Sequence, residues 1–208
     1  IFSRLPEFVK RFGGKPVPIT EDHIHVIDEE KLPEEYREML KGSPSSYNHD
    51  AQAIVVSYMD TPGDYNKLNF AHKILHEMLH FSSFQSIHKI PGKDMITERR
   101  NGFSVRIKGG TEFYFNNIDE ALIQEAVIMF DKEYFSSIPT LAGNLNERER
   151  VREKVRAEGN FPAEMVSSVN KEGNPNAYIY LSEIFNLRNL IHNVYLLIAP
   201  HGAGGAGR

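Results

Sequence analysis

His76-Glu77-Met78-Leu79-His80 places two imidazoles four residues apart, with a carboxylate directly after the first. On an α-helix, residues at that spacing are offset by about 40° around the axis and about 6 Å along it. Both rings therefore lean from one face and can meet on a single ion. Glu77 stands about 100° round from His76, too far to be an easy ligand but able to reach a water on that ion. Imidazole and carboxylate groups suit zinc, and a catalytic zinc takes three protein ligands and leaves the fourth position to water. With 9 histidines and 20 glutamates among 208 residues, random order yields roughly 0.04 copies of this pattern, so chance is a poor explanation for it. The plain alternative is a polar helix face carrying two ordinary histidines. His72 makes a second four-residue pair with His76, but Lys73 stands where a base would be needed, so His72 reads as a neighbour of the motif.

The helix that must carry these residues opens near Asp64 or Asn66 and runs through NKLNFAHKILHEMLHFSSF, with Ile74, Leu75, Met78, Leu79 and Phe81 as its apolar side. Before it lies AQAIVVSYM, Ala51 to Met59, the most strand-like run of the chain, closed by the turn signal Thr61-Pro62-Gly63. Further upstream, HIHVID alternates as a strand does. LPEEYREMLKG then reads as a helix with Pro33 in its first turn and Gly42 past its end, and GSPSSYNHD has loop composition. Downstream of the motif, KDMITERR, FSVRIK and TEFYFN are separated by Asn101-Gly102 and Gly109-Gly110, which predicts a three-stranded β-meander between Lys93 and Asn116. NNIDEALIQEAVIMFDKEYF predicts a helix apolar nearly all round, of the kind that crosses the middle of a domain. LNERERVREKVRAE, from Leu145 to Glu158, mixes both signs of charge and predicts a solvated helix laced with i,i+4 pairs. A last helix is expected from about Ala177 to Leu197. Residues 1–15 read as an N-terminal arm, residues 200–208 as a flexible glycine-rich tail, and 1–208 as a single α+β domain.

A third ligand must come from elsewhere, and the candidate is Glu120 in Asn117-Ile118-Asp119-Glu120-Ala121. With the H-E-x-x-H helix upstream, this segment resembles the zincin metallopeptidases of the gluzincin type, in which a later helix opens with an Asn/Asp-Glu-Ala/Gly element. The metzincin extension is excluded, because Ser83 and Ser86 stand where it needs glycine and histidine. The resemblance covers Ala51 to about Phe135. It implies a zincin-like fold: a mixed sheet, an active-site helix and a glutamate-bearing central helix with the small meander between them. It also implies zinc held by His76, His80 and Glu120, Glu77 as catalytic base, and strand 51–59 as a sheet edge for an extended peptide. One departure is Gln124, four positions after Glu120, where the family often has an acid; Glu125 follows and is the reserve ligand. Zincins commonly use a Tyr, His or Arg to stabilise the oxyanion. Tyr178 is the nominal choice among Tyr178, Tyr180, Arg188 and His192.

Glu120 also has a bland reading. Asn117 as N-cap with Glu120 three residues on is a capping-box pattern, and Glu120, Gln124 and Asp131 share one side of the wheel, as a wet stripe would. His23, His25, His49, His88 and His201 read as polar surface, and Arg99 and Arg100 as exposed residues bordering the Asn101-Gly102 turn.

Composition narrows the remaining choices. The formal charge is −4, without the basic excess of a nucleic-acid binder. There is no cysteine, which removes disulfides, thiolate zinc sites and cysteine nucleophiles together, so a metal must be held by histidine and carboxylate. No apolar run reaches the roughly 18 residues of a membrane helix. The sequence opens at Ile1 rather than methionine, which leaves room for an upstream signal, anchor or propeptide and keeps the compartment open. The expectation is therefore zinc-dependent hydrolysis of a peptide or protein substrate. Its rivals are a zinc-binding domain that is inert or acts on a non-peptide substrate, and a helical partner-binding module without metal.

Overall fold

The computed structural model describes residues 1–28, 31–34, 37, 45–48, 51–58, 67–89, 96–106 and 112–198. Its architecture is mixed α and β, with small sheets set around packed helices. The first sheet contains β1 (Ile24–Asp28), β2 (Ser45–Asn48) and β3 (Ala53–Tyr58) in the order β1-β3-β2. β3 runs parallel to β1, with Ile24 opposite Ile54, and antiparallel to β2, with Ser45 opposite Val56. The strand expected at the sheet edge is thus its centre. The reason is burial on both faces: Ala53, Ile54, Val56 and Ser57 are all buried, and such a run belongs between neighbours. The edge falls to β2, a four-residue strand of serine, tyrosine and asparagine whose polar composition reads as loop.

The motif helix α2 (Lys67–Ser82) packs on this sheet and buries Leu68, Ala71, Leu75, Met78, Leu79 and Phe81. Its expected start at 64–66 and the turn 61–63 lie outside the described residues. A second sheet follows as an antiparallel meander of β4 (Gln85–Lys89), β5 (Ile96–Asn101), β6 (Ser104–Arg106) and β7 (Phe113–Tyr114). It has four strands rather than three, because β4 leaves the motif helix with no Gly or Pro signal between them. The Asn101-Gly102 turn forms as expected, with Gly102 left-handed at φ 55°, whereas Gly109-Gly110 lies outside the described residues.

Helix α3 (Asn116–Tyr134) crosses the middle of the fold between α2 and the last helix, α5 (Leu181–Ile198). Its N-cap is Phe115 and no side chain caps it, so the Asn117/Glu120 capping box does not form. Helix α4 (Ala142–Glu158) is largely exposed, as expected, with an i,i+4 pair between Lys154 and Glu158, but one side of it is buried. Arg148 and Arg152 are buried beneath the hairpin of β8 (Val166–Val169) and β9 (Pro175–Ala177), where Arg152 donates to the Val166 carbonyl. The last helix begins at Leu181 rather than near 177, after β9 and a short crossing from Tyr178 to Tyr180.

The N-terminal arm is part of the core. Helix α1 (Leu5–Arg11) buries Leu5, Phe8 and Val9, with the Phe8 ring edge-on to Phe130 at 5.2 Å and Arg11 paired with Glu133. These join Ile54, Val56, Leu75, Met78, Val127, Ile128, Phe135, Met165 and Ile184 in one cluster. Of the helix expected over 33–42, Glu34 and Arg37 are described and are helical; the rest, like the tail 200–208, lies outside the described residues. No described helix is long and apolar enough to cross a membrane.

Candidate metal centre

Histidines 72, 76 and 80 recur every four residues along α2 and make a ladder on its buried face. α3 passes in the opposite direction and faces that ladder with its own polar stripe, so that His80 and His76 meet Glu120, His76 meets Gln124, and His72 meets Asp131. The stripe that would be wet on an isolated helix is therefore turned inward, and each polar group finds a partner there.

At the open end of the ladder three atoms able to ligate a metal converge. His76 Nε2 lies 3.1 Å from Glu120 Oε2, His80 Nε2 lies 3.3 Å from the same oxygen, and the two Nε2 atoms are 3.1 Å apart. Ligands bound at 2.0–2.1 Å around one tetrahedral ion sit about 3.3 Å from one another, so this cluster of two imidazoles and a carboxylate has the spacing and the chemistry to hold zinc. Burial alone would raise the Glu120 pKa. Hydrogen bonds from both histidines outweigh it and hold the carboxyl at about 2. Burial would also lower the His80 pKa, but the hydrogen bond to Glu120 and the charges of Glu120, Glu77 and Asp119 raise it.

The far nitrogens also face α3, that of His76 through a hydrogen bond and that of His80 at ion-pair distance. His76 Nδ1 donates to Gln124 Oε1 at 3.1 Å, the proton placement that lets a neutral imidazole turn its Nε2 lone pair to a metal. Gln124 is 2% exposed, and a neutral amide oxygen supplies the acceptor that an acid would otherwise provide. His80 Nδ1 faces Asp119 Oδ2 at 3.5 Å, and Asp119 is itself held by the Phe103 N–H on Oδ1 at 2.7 Å. Burial raises the Asp119 pKa above the ordinary carboxylate value.

Glu77 is buried and its Oε1 accepts from Ser45 Oγ of β2 at 2.8 Å. It lines a cleft of about 260 Å³ together with His76, Gln124, Tyr178, Tyr180, His72 and Lys73. Tyr180 lies over the cluster, its ring stacked on His76 at 5.7 Å and its phenol within electrostatic reach of Glu120 and Glu77. Its backbone is left-handed at φ 55°, a strained conformation for a tyrosine, of the kind found at functional sites. Burial and the charges of Glu120 and Glu77 push the phenol well above its ordinary value, so it stays a proton donor.

His76, Glu77, His80 and Glu120 are thus brought together, and several other candidates are not. Tyr178 is 3% exposed and gives its hydroxyl to Asp131, so Tyr180, not Tyr178, stands beside the cluster. Glu125 is paired with Arg188, which occupies both the reserve ligand and a candidate oxyanion donor. His192 and His25 are exposed, and His23 Nδ1 accepts from the Thr20 N–H. Arg100 is exposed and donates to the Gly102 carbonyl. His49, His201 and the side chains of His88 and Arg99 lie outside the described residues. His72 sits in a buried group with Asp131, Arg148 and Tyr178. Hydrogen bonds from His72 and Arg148 overcome the effect of burial and hold Asp131 far below the carboxylate range.

Sequence reasoning misses Ser45 and Asp119, and prefers Tyr178 to Tyr180. Asp119 carried a signal, being adjacent to Glu120, and Tyr180 was one of four candidates. Ser45 carried none, since it is one of many serines in a segment with loop composition. No protein-family model matches this chain, and neither a curated protein nor a solved structure matches it significantly.

Proposed function

We propose that this chain is a zinc-dependent hydrolase of peptide bonds, built on a zincin-like arrangement of α2 and α3. The observation that carries the reading is the convergence of His76 Nε2, His80 Nε2 and Glu120 Oε2 within 3.3 Å of one another, with His76 lining a cleft that Glu77 also lines. His76, His80 and Glu120 would bind the ion. Once bound, zinc supplies Lewis-acid polarisation of a carbonyl and acidifies a water molecule toward neutrality. Glu77 accepts the proton of the attacking water and returns it to the departing amine, and Ser45 fixes which carboxylate oxygen is free for this work. Tyr180, a protonated donor stacked on His76, would hydrogen-bond the carbonyl oxygen as it gains charge. A peptide is favoured as substrate because β2, an edge strand among the described residues, adjoins Glu77 through Ser45 and offers backbone groups for an added strand.

Metal analysis of the purified protein together with cleavage of a mixed peptide library tests this. One zinc per chain is expected, with cleavage abolished by chelator and restored by zinc. Glu77→Gln should keep the zinc and lose turnover by about 10²-fold or more. Zinc without peptide cleavage would redirect the reading to a non-peptide substrate or an inert site, and full turnover in Glu77→Gln would remove Glu77 from its role.

A further inference from the structure

The meander inserted between the motif and Glu120 contributes no residue to the described lining of the catalytic cleft. It docks on the end of α2 and the start of α3, through the turn between β5 and β6. Gly102 donates its N–H to the Phe84 carbonyl, just past the end of α2, at 2.8 Å, and its own carbonyl accepts from Arg100 Nε at 2.7 Å. The next residue, Phe103, donates its N–H to Asp119 Oδ1, and Ser104 hydrogen-bonds Asn116 in the first turn of α3. Gly102 also lies so close to Asp119 that a Cβ there would meet Oδ1 at 2.1 Å, and its φ of 55° is left-handed. Both the space and the backbone conformation therefore require glycine. The other oxygen of the same carboxylate faces the far nitrogen of His80 at 3.5 Å.

We propose that the Asn101-Gly102-Phe103 turn is a brace for the metal centre, a set of positioning residues that fix Asp119 and through it His80, and so set how tightly the centre holds zinc. The proposal rests on the reading of His76, His80 and Glu120 as a zinc site. The turn joins the end of the helix that carries both histidines to the start of the helix that carries the glutamate. Those two ends must keep a fixed separation if the three donor atoms are to stay within 3.3 Å. Groups that orient a ligating histidine from outside typically account for a tenfold to hundredfold change in metal affinity, and here that outer group is held by backbone of a third element.

Zinc affinity measured by competition with a chromophoric chelator, on the full chain, tests the brace. Gly102→Ala should weaken zinc binding about tenfold to hundredfold, and Asp119→Ala should do the same. In the Asp119→Ala background the added methyl has no carboxylate to displace, so Gly102→Ala should cost less than about threefold more, the non-additivity that marks a shared contact. Cobalt substitution should give a visible spectrum altered in Gly102→Ala. Asp119→Asn, which keeps the acceptor for Phe103 and loses the charge facing His80, covers the case in which Gly102→Ala does not fold and should fall between wild type and Asp119→Ala. Wild-type protein that takes no zinc overturns the parent reading and the brace with it. Wild-type protein that binds zinc while Gly102→Ala binds equally well, or equal penalties in both backgrounds, overturns the brace alone. Should Gly102→Ala be unfolded, wild-type affinity in Asp119→Asn and Asp119→Ala overturns it too.

Discussion

Gln124 shows how a single side chain settles the orientation of a ligand. It occupies the position where the resemblance led to an acid, yet its amide oxygen accepts from His76 Nδ1, which is the hydrogen bond that orientation requires. What changes is charge, since a neutral acceptor raises the basicity of His76 less than a carboxylate would. Gln124→Met keeps the volume and removes the acceptor, leaving a buried N–H unpaired. Zinc affinity in that variant should fall about tenfold or more, read by chelator competition, with the circular dichroism of the fold retained. Unchanged affinity would mean that packing, not this bond, orients the ring. Glu120 makes the same point from the other direction: its i+3 relation to Asn117 suits a cap, but α3 starts two residues earlier, with Phe115 at its N-cap, and the carboxylate turns to the histidines instead.

Between the elements, the antiparallel ladder of α2 and α3 does two jobs. Its open end forms the candidate metal centre, and its closed end is the buried group of His72, Asp131, Arg148 and Tyr178. The helical spacing of His72, His76 and His80 and the polar stripe of α3 were readable from residue order, but their mutual pairing was not. Arg148 looked like one charge among many on a solvated helix, because a charge-rich heptad does not reveal which of its arginines will find a carboxylate on another helix. Asp131→Asn leaves the Arg148 cation buried without its counter-charge, and should cost about 3–5 kcal/mol in urea unfolding. The same group dictates acid sensitivity. Burial above all lowers the His72 pKa from its ordinary 6.5. The unfolded chain thus takes up a proton there sooner than the folded one does. Stability from this group is complete above that pH and drains away as pH falls below it. Asp131, whose pKa is also depressed, from 3.8, adds a second loss below the ordinary carboxylate range. Denaturation midpoints should therefore decline from about pH 6.5 downward, and less steeply below pH 4 in Asp131→Asn, where the second loss is gone.

For the molecule as a whole, the N-terminal segment is structural. Weak periodicity in a short stretch ahead of Gly-Gly reads as an arm, but Phe8 is 1% exposed and lies against Phe130 and Tyr134 of α3. Helix α1 thus closes the core against the C-terminal half of α3. Phe8→Ala should lower unfolding stability by about 3–5 kcal/mol, where an arm would give almost none. Zinc affinity should be little altered, since Phe8 touches neither the donor atoms nor Asp119.

Residue order alone was sufficient for whatever is local. The H-E-x-x-H pair on one helix face, the absence of thiolate chemistry, the Asn101-Gly102 turn and the mixed α and β character each follow from spacing or composition within a few residues. Three-dimensional packing decided everything that depends on separation along the chain: Glu120 as partner rather than cap, Tyr180 in place of Tyr178, Glu125 withdrawn to Arg188, Ser45 on Glu77, and β2 rather than β3 at the sheet edge. The physical reason is that helix geometry fixes neighbours four residues apart whatever surrounds them. A contact across forty residues exists only once the intervening elements have found the packing that buries their apolar faces.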